Sequence, residues 1–321
     1  MAPLLELEDV SITYAAREGD VPAVRGVSLS LDEGQTLGIA GESGCGKSTL
    51  AAAVLRLLPA SARVTGRLAL DGEDVLTMSW GRLRAVRWSG ASVIFQGALH
   101  SLNPVQTIGR QVAEPILIHG LADEAGARER VRDLLDQVGL PARHVDAYPH
   151  QLSGGQKQRV MIALALACSP RLVIADEPTT ALDVMIQAQV LDLLDRLARD
   201  LGVGLVMISH DLSVLGSACQ RLAIMYAGRI VEEGPSARVL RSAAHPYSAA
   251  LAASFPTIGD PAARRQPRGL PGDPPDPRDL PSGCAFHPRC PVVLPQCATD
   301  DVRLRPVADD WQAACVRVGA P

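Results

Sequence analysis

Residues 41–48 read GESGCGKS, a glycine-rich segment between an apolar run and a helix-forming sequence. The run Thr36–Ala40 predicts a buried strand, and Thr49–Leu58 has the pattern of a helix. Between a strand and a helix, glycines let successive backbone N–H groups turn toward one anion, and the helix N-terminus adds a positive dipole. Lys47 can reach the outer phosphates of a nucleotide, and Ser48 can offer its hydroxyl to Mg2+. The segment therefore predicts an α/β fold that binds a nucleoside triphosphate.

Composition and charge limit the other possibilities. The 321 residues, 47% of them hydrophobic, suffice for one large domain with an appendage or for two modest domains. With a net charge of −4 and no long block of lysine or arginine, nucleic acid is not an expected partner. The longest apolar run, Met161–Cys168, is far shorter than the roughly 20 residues of a membrane span. The N-terminus lacks a signal pattern and the seven cysteines do not suggest a secreted disulfide framework, so we expect a cytoplasmic protein.

A second glycine-rich loop covers residues 152–156, Leu-Ser-Gly-Gly-Gln, and opens a helical pattern that runs from Lys157 to Ala167. Ser153 stands where a helix cap is expected. Taken alone, the pentapeptide fits an ordinary capped helix start as well as it fits a second anion site.

Acidic residues follow the next apolar run. Residues 172–177, Leu-Val-Ile-Ala-Asp-Glu, predict a buried parallel strand that ends in two carboxylates, at the edge where open α/β sheets place their chemistry. Asp176 can hold the water shell of Mg2+, and Glu177 can orient or deprotonate an attacking water. A further strand, Gly204–Ile208, brings His210 to the same edge, where its ring can hydrogen-bond a terminal phosphate.

In this order the motifs resemble those of the ATPase subunit of an ATP-binding cassette (ABC) transporter, over about residues 4 to 256. The resemblance implies a P-loop cassette in residues 1–256, with a RecA-like core, an antiparallel β subdomain and a helical subdomain at about 97–168. Val131, Leu134, Leu135 and Val138 predict one apolar helix face in that subdomain. The chain then continues as a Pro/Gly-rich linker, 257–282, and a cysteine-bearing extension, 283–321.

The resemblance also implies site residues for ATP and Mg2+. Tyr14 would stack on adenine, although a tyrosine that closes an alternating strand can equally pack inward. The phosphate loop would comprise Gly41, Ser43, Gly44, Cys45, Gly46, Lys47, Ser48 and Thr49. The signature, which in the family lies over the phosphate loop of a second subunit, would comprise Ser153, Gly154, Gly155 and Gln156. Neither subunit would then complete a site alone.

The remaining roles implied by the resemblance concern metal binding and hydrolysis. Mg2+ would be held through Ser48, Gln96 and Asp176; the catalytic residues would be Glu177, His210 and Gln96; and Asp183 would lie in the loop that crosses the dimer. Gln96 would also link the magnesium site to the membrane partner. Family members usually carry an acidic residue after this glutamine, whereas Gly97 follows it here.

Three segments resemble the importer ATPases for dipeptides, oligopeptides and nickel: Ser101–Pro104, Ile186–Gln189, and Ala244–Ser248 with a short helix to Ser254. The resemblance implies a peripheral protein at the cytoplasmic face of the membrane. Its partners would be two permease subunits, a second ATPase of distinct sequence and, through the permease, an extracytoplasmic binding protein. Peptides and nickel or other metal chelates all stay open as cargo. A DNA-repair ATPase would need a long insertion after Gln96, and a translation-linked protein usually a second cassette.

Four cysteines stand in the extension: Cys284, Cys290, Cys297 and Cys315. Four thiolates can close an iron or zinc site, but no C-x-x-C pair occurs and the spacing leaves the metal open. Residues 283–291 resemble the segment that ligates a 4Fe–4S cluster in peptide-importer ATPases. Zinc, with His287 able to replace one thiolate, and free or disulfide-linked thiols are the alternatives. Because residues 282–321 hold few large apolar groups, we expect metal ligation to order them.

Overall fold

The computed structural model describes residues 2–95, 97, 101–180, 182–254 and 270–318. The chain forms two compact units. The first contains Leu31–Gln35 and Thr77–Met207 together with the first few residues, and the second contains Leu5–Ser30, Thr36–Leu76 and the chain from Ile208 onward. These units are not the domains predicted from the sequence. The predicted boundaries at residues 256 and 282, which separate the cassette, the linker and the extension, stay predictions. Within the described ranges, no helix has both the length and the apolar character that crossing a bilayer requires.

Strands and helices alternate along most of the chain. The strands are β1 (Leu5–Tyr14), β2 (Val21–Leu31), β3 (Thr36–Ala40), β4 (Ala62–Leu70), β5 (Glu73–Asp74), β6 (Ala91–Ile94), β7 (Leu172–Asp176), β8 (Gly204–Ser209), β9 (Arg221–Tyr226), β10 (Arg229–Pro235), β11 (Arg305–Ala308) and β12 (Trp311–Ala313). The helices are α1 (Lys47–Val54), α2 (Trp80–Val86), α3 (Ile108–Ile118), α4 (Glu124–Gln137), α5 (Gly154–Ala165), α6 (Val184–Leu201), α7 (Leu212–Ala218), α8 (Ser236–Ser242) and α9 (Pro246–Ser254).

The first unit is mainly helical. Its strands β6 and β7 pair in parallel, and every residue of β7 is buried. The predicted apolar face is confirmed, since Val131, Leu134, Leu135 and Val138 are fully buried where α4 packs against α3 and α5. Local sequence sets the helix ends: the Asp123 carboxylate accepts the Gly126 N–H at the start of α4, and α6 ends at Gly202 in the left-handed region.

The second unit contains two sheets. Strands β2, β1, β4 and β5 form a sheet in that order, with β1 and β4 antiparallel. In the other sheet β3 pairs in parallel with β9, and β10 pairs antiparallel with both β9 and β12. The phosphate-loop candidate starts where β3 ends, so its position is fixed by a fully buried strand.

The extension packs onto the rest of the second unit, to which it belongs. Its strand β12 adds to β10. Its Phe286 is only 1% exposed and contacts Tyr226 and Tyr247 edge to face, at centroid distances of 5.4 and 5.3 Å. The fully buried Glu232 carboxylate accepts N–H groups of Ala244 and His245 and the Trp311 indole N–H. Burial against β9, β10 and α9 therefore helps to order the extension, a contribution that the prediction of ordering by metal ligation did not include.

Candidate nucleotide-binding site

Residues 41–46 form a tight loop between β3 and α1, and glycine is required at two of its positions. Gly46 has φ 104°, and a Cβ there would lie 2.3 Å from the carbonyl oxygen of Ala23. A Cβ on Gly41 would lie 2.2 Å from the carbonyl oxygen of Met225. The loop is thus pressed against neighbouring backbone, which fixes the direction of its N–H groups.

The Lys47 side chain lies inside this loop. Its ammonium donates to the carbonyl oxygens of Gly41 and Glu42 at 2.7 and 2.9 Å and lies 3.6 Å from the Cys45 sulfur. Lys47 is 6% exposed, and the surrounding burial raises the pKa of the Cys45 thiol. A buried ammonium held by uncharged carbonyls keeps its positive charge available to an incoming anion.

Tyr14 stands at the end of β1, and its hydroxyl donates to the Thr49 hydroxyl at 3.2 Å. Thr49 is the last residue of the predicted phosphate loop and belongs to the first turn of α1. The structure therefore brings the predicted adenine-stacking residue next to the predicted phosphate-binding residues, all within the second unit. The stacking role itself stays a prediction.

The second glycine-rich loop is the N-terminus of α5 in the first unit. The Ser153 hydroxyl accepts the Gln156 N–H at 3.3 Å, and the Gln156 side-chain oxygen accepts the Ser153 N–H at 2.9 Å. This is a reciprocal capping box. Gly155 leaves no room for a side chain, since a Cβ there would lie 2.7 Å from Ile186. The capped-helix interpretation is confirmed, and the role as a signature stays a prediction.

The two predicted acidic residues follow β7 in the first unit. Asp176 is buried, and the Glu177 carboxylate accepts the Thr180 hydroxyl at 2.8 Å. Glu177 has φ 47°, which an L-residue seldom adopts and which commonly costs about 1–3 kcal/mol. Strain of this kind clusters at functional sites. No sequence pattern predicted it here. Asp183 caps α6 by accepting the Ile186 N–H at 3.0 Å.

Two predicted site residues remain, His210 and Gln96. His210 follows β8 in the second unit and is exposed. The next residue, Asp211, caps α7 by accepting the Ser213 N–H at 2.9 Å. Gln96, assigned to magnesium and to the permease, lies outside the described residues. Gly97, the residue that departs from the family pattern, has φ 71°.

Sequence reasoning missed the surroundings of Glu42, the second residue of the phosphate loop. Its carboxylate accepts two hydrogen bonds from the Arg289 guanidinium at 2.7 and 2.9 Å, and its N–H donates to the Tyr247 hydroxyl at 2.9 Å. Arg289 also lies 5.8 Å from the centre of the Tyr226 ring. The hydrogen bonds to Glu42 raise the pKa of Arg289 above its usual value. The one signal in the sequence was Glu42 itself, because a carboxylate in a loop that binds anions calls for a positively charged partner.

The four cysteines of the extension line one small cavity of about 10 Å3. Burial raises the pKa of Cys284, Cys290 and Cys315. The Cys297 sulfur accepts the Leu294 N–H at 3.5 Å. Backbone N–H groups of Phe286, Val292 and Arg317 lower the pKa of Cys284, Cys290 and Cys315 respectively, but they offset the effect of burial only in part. The expected metal-ligated extension is nevertheless not supported, since no group of three or more His, Cys, Asp or Glu in the described ranges could hold a metal ion.

Comparison with solved structures defines the class of protein. A dimeric bacterial ABC transporter cassette, MJ0796, superimposes with a TM-score of 0.65 and 30% identity, covering 72% of this chain and 98% of that one. CbiO1 of Clostridium perfringens, described as part of an ABC transporter complex, gives a TM-score of 0.64 and 27% identity, covering 75% of this chain and 92% of that one. The fold is that of an ABC ATPase cassette, as predicted.

Sequence comparison narrows the assignment. Residues 24–180 match the ABC transporter family model, and residues 231–297 match the model of the oligopeptide/dipeptide transporter C-terminal region. Relatives that are 42% identical over most of both chains show the same family, so the chain belongs to the ABC transporter family and carries this C-terminal region.

Several relatives of similar sequence are named for peptide transport. The oligopeptide transport ATP-binding protein OppD of Salmonella typhimurium is 42% identical over 92% of this chain and 88% of its own length. A putative peptide import ATP-binding protein of Brucella abortus is 42% identical over 92% of this chain and 90% of its own length. OppD of Mycobacterium tuberculosis is 43% identical over 99% of this chain, which spans only 52% of that relative's length.

Proposed function

We propose that this chain is the ATP-hydrolysing subunit that energises import of di- or oligopeptides through a membrane permease. The proposal is carried by the phosphate loop, in which two glycines that tolerate no side chain surround the buried Lys47 ammonium. The peptide cargo is supported by the match of residues 231–297 and by the names of the relatives.

In this proposal the loop binds the phosphates of ATP, and Tyr14 stacks on the adenine. Ser48 and Asp176 supply the hydroxyl and carboxylate oxygens that suit Mg2+, which would neutralise charge on the transferring phosphoryl group. Glu177 is the general base for the attacking water, and His210 contacts the terminal phosphate. The carboxylate of Glu177 is oriented by the Thr180 hydroxyl, which supports this assignment.

The proposed partners follow from the signature and from the relatives. Ser153–Gln156 would act on ATP bound by a second, distinct ATPase subunit, so that hydrolysis depends on association. Gln96, which lies outside the described residues, would transmit the state of the site to two permease subunits. An extracytoplasmic binding protein would deliver the peptide, and the chain would sit at the cytoplasmic face of the membrane.

The cargo is tested in the source cells. Deletion of the gene should abolish uptake of a labelled tripeptide, the parent gene should restore it, and the Glu177→Gln gene should not restore it although the protein accumulates to the same level. Loss of labelled nickel uptake with peptide uptake intact would overturn the peptide assignment and favour the metal-importer alternative.

We further propose that Cys284, Cys290, Cys297 and Cys315 bind a 4Fe–4S cluster. The support is the donor set: four cysteines line one cavity, and four cysteine thiolates are the ligands that such a cluster requires. A zinc ion, and free or disulfide-linked thiols, stay the alternatives to the cluster.

Strictly anaerobic purification tests the cluster. The full chain should be brown, absorb near ~400 nm and contain about four irons. Cys290→Ser should lose colour and iron, whereas Cys168→Ala, a buried cysteine of the first unit, should keep both. A colourless chain without iron, or one with stoichiometric zinc, would overturn the cluster.

A further inference from the structure

The cysteine-bearing extension reaches the phosphate loop directly. Arg289, the residue before Cys290, makes a bidentate ion pair with Glu42, and the partners are 247 residues apart in sequence. Its side chain is 8% exposed, and its Nε donates to the carbonyl oxygen of Pro271 at 2.8 Å. The guanidinium is therefore fixed on three sides by Glu42, Pro271 and the ring of Tyr226.

Glu42 is an unfavourable residue for a loop that accepts a triphosphate. Its carboxylate lies within the eight residues whose other features attract anions, and like charges at such short range repel strongly when solvent screening is weak. The Glu42 side chain is 22% exposed, so water screens it only in part. An arginine that is always charged and matches the carboxylate with two parallel hydrogen bonds is the group best suited to cancel this charge.

The backbone of residue 42 is held without help from the ion pair. Its carbonyl oxygen accepts from Lys47 at 2.9 Å, and its N–H donates to the buried hydroxyl of Tyr247 at 2.9 Å. The loop conformation and the charge on residue 42 are thus controlled by different contacts. Removing the carboxylate should leave the loop in place, whereas removing Arg289 should leave a bare negative charge beside the phosphates.

We propose that Arg289 is a positioning residue for nucleotide binding: it holds the Glu42 carboxylate in a neutral pair, so that the C-terminal extension makes the phosphate loop competent to accept a triphosphate. This inference rests on the proposed function, because it requires that the loop bind ATP. It gives the extension a part in ATP binding itself, through a contact that Arg289 makes and the cysteines do not.

The experiment measures the affinity of the full chain for Mg–ATP and Mg–ADP by titration calorimetry. Arg289→Gln should weaken Mg–ATP binding about tenfold and Mg–ADP binding less, about threefold, because the repulsion grows with phosphate charge. The double variant Glu42→Gln/Arg289→Gln should return to within about threefold of the parent for both nucleotides. Glu42→Gln alone should bind Mg–ATP at least as well as the parent.

The matched control is Arg278→Gln. Arg278 also pairs with carboxylates, those of Asp276 and Glu18, but its side chain is 43% exposed and these pairs do not involve the phosphate loop. This variant should bind both nucleotides as the parent does. Thermal unfolding of each variant checks that it is folded, and if Arg289→Gln does not fold, Glu42→Gln alone still tests the idea.

The outcomes distinguish failure of the proposed function from failure of the positioning role of Arg289. If the parent chain does not bind Mg–ATP, the proposed function fails. If the parent binds and Arg289→Gln binds equally well, the positioning role fails. It also fails if the loss is the same for both nucleotides and the double variant does not recover, because the pair would then serve only the fold. The positioning role fails as well if Glu42→Gln alone weakens Mg–ATP binding tenfold.

Discussion

The two glycine-rich loops of this chain are stabilised in opposite ways. The loop at 41–48 is held by contacts from distant parts of the sequence, namely Met225 and Ala23 against its glycines and Tyr247 and Arg289 on Glu42. The loop at 153–156 also packs Gly155 against Ile186, but it pairs two of its own N–H groups through a capping box that spans four residues. The first loop is therefore organised mainly by the tertiary fold, and the second mainly by its own sequence.

This difference fits the separate duties proposed for the loops. A loop that must surround a polyanion benefits from being fixed in advance, since binding then costs little further ordering. A loop that acts on a nucleotide held by another subunit needs a rigid but exposed helix start, and Ser153 is exposed. If so, changes in the first loop should alter nucleotide affinity of the single chain, while changes in the second should alter only turnover in the assembled transporter.

The largest expected effect is a loss of ATP turnover without a loss of ATP binding. Glu177→Gln is expected to reduce ATP hydrolysis by the assembled transporter about 1,000-fold, because the amide cannot take the proton of the attacking water. Affinity for Mg–ATP, which the first loop supplies, should stay within about threefold of the parent. Phosphate release and calorimetry measure the two quantities. Equal hydrolysis in variant and parent would contradict the assignment of Glu177 as the base.

Affinity itself should collapse when the ammonium of the first loop is removed. Lys47→Gln is expected to weaken Mg–ATP binding about 100-fold, because a buried charge-assisted contact to phosphate is lost. The control is Lys157→Gln, which removes the only other lysine of the chain and lies just after the second loop. That control should leave affinity unchanged in the full chain. If both variants lost affinity equally, the contrast between the loops would be wrong.

Much of this arrangement could be predicted from local sequence. The strand at Thr36–Ala40 has the predicted bounds, and the carboxylates that follow 172–175 stand at the end of a buried strand. The helix predicted at Thr49–Leu58 runs instead from Lys47 to Val54, with Gly46 in the left-handed region just before it and Arg56 at φ 49° shortly after it. Apolar periodicity and glycine content carry this information because they act over a few residues.

What could not be predicted depends on contacts between distant residues. The pairing of Glu42 with Arg289 joins two segments that no local pattern relates. The left-handed backbone of Glu177, with φ 47°, could not be predicted from the residue type, since glutamate seldom adopts it. The extension was expected to depend on metal because its apolar residues are few, but one of them, Phe286, is buried in an aromatic cluster with Tyr226 and Tyr247.

A smaller effect should come from the cap of the second loop. Ser153→Ala removes the hydroxyl that accepts the Gln156 N–H and should lower the free energy of unfolding by about 1 kcal/mol. Hydrolysis by the assembled transporter should fall about tenfold, whereas Mg–ATP affinity of the single chain should not change. Ser79→Ala is the control, since Ser79 caps α2 in the same way. A similar loss of hydrolysis in both variants would leave the second loop with a purely structural role.

The smallest effect should link the cysteines to the first loop. Cys290 is the neighbour of Arg289, so loss of the proposed cluster should loosen the guanidinium without removing it. Cys290→Ser, or removal of iron by a chelator, should therefore weaken Mg–ATP binding about twofold to threefold, less than Arg289→Gln does. In the Glu42→Gln/Arg289→Gln chain the same treatment should have no effect, because no ion pair is left to disturb. If affinity falls equally in that chain, the cysteines act on the loop by another route, and the extension contacts it through more than Arg289.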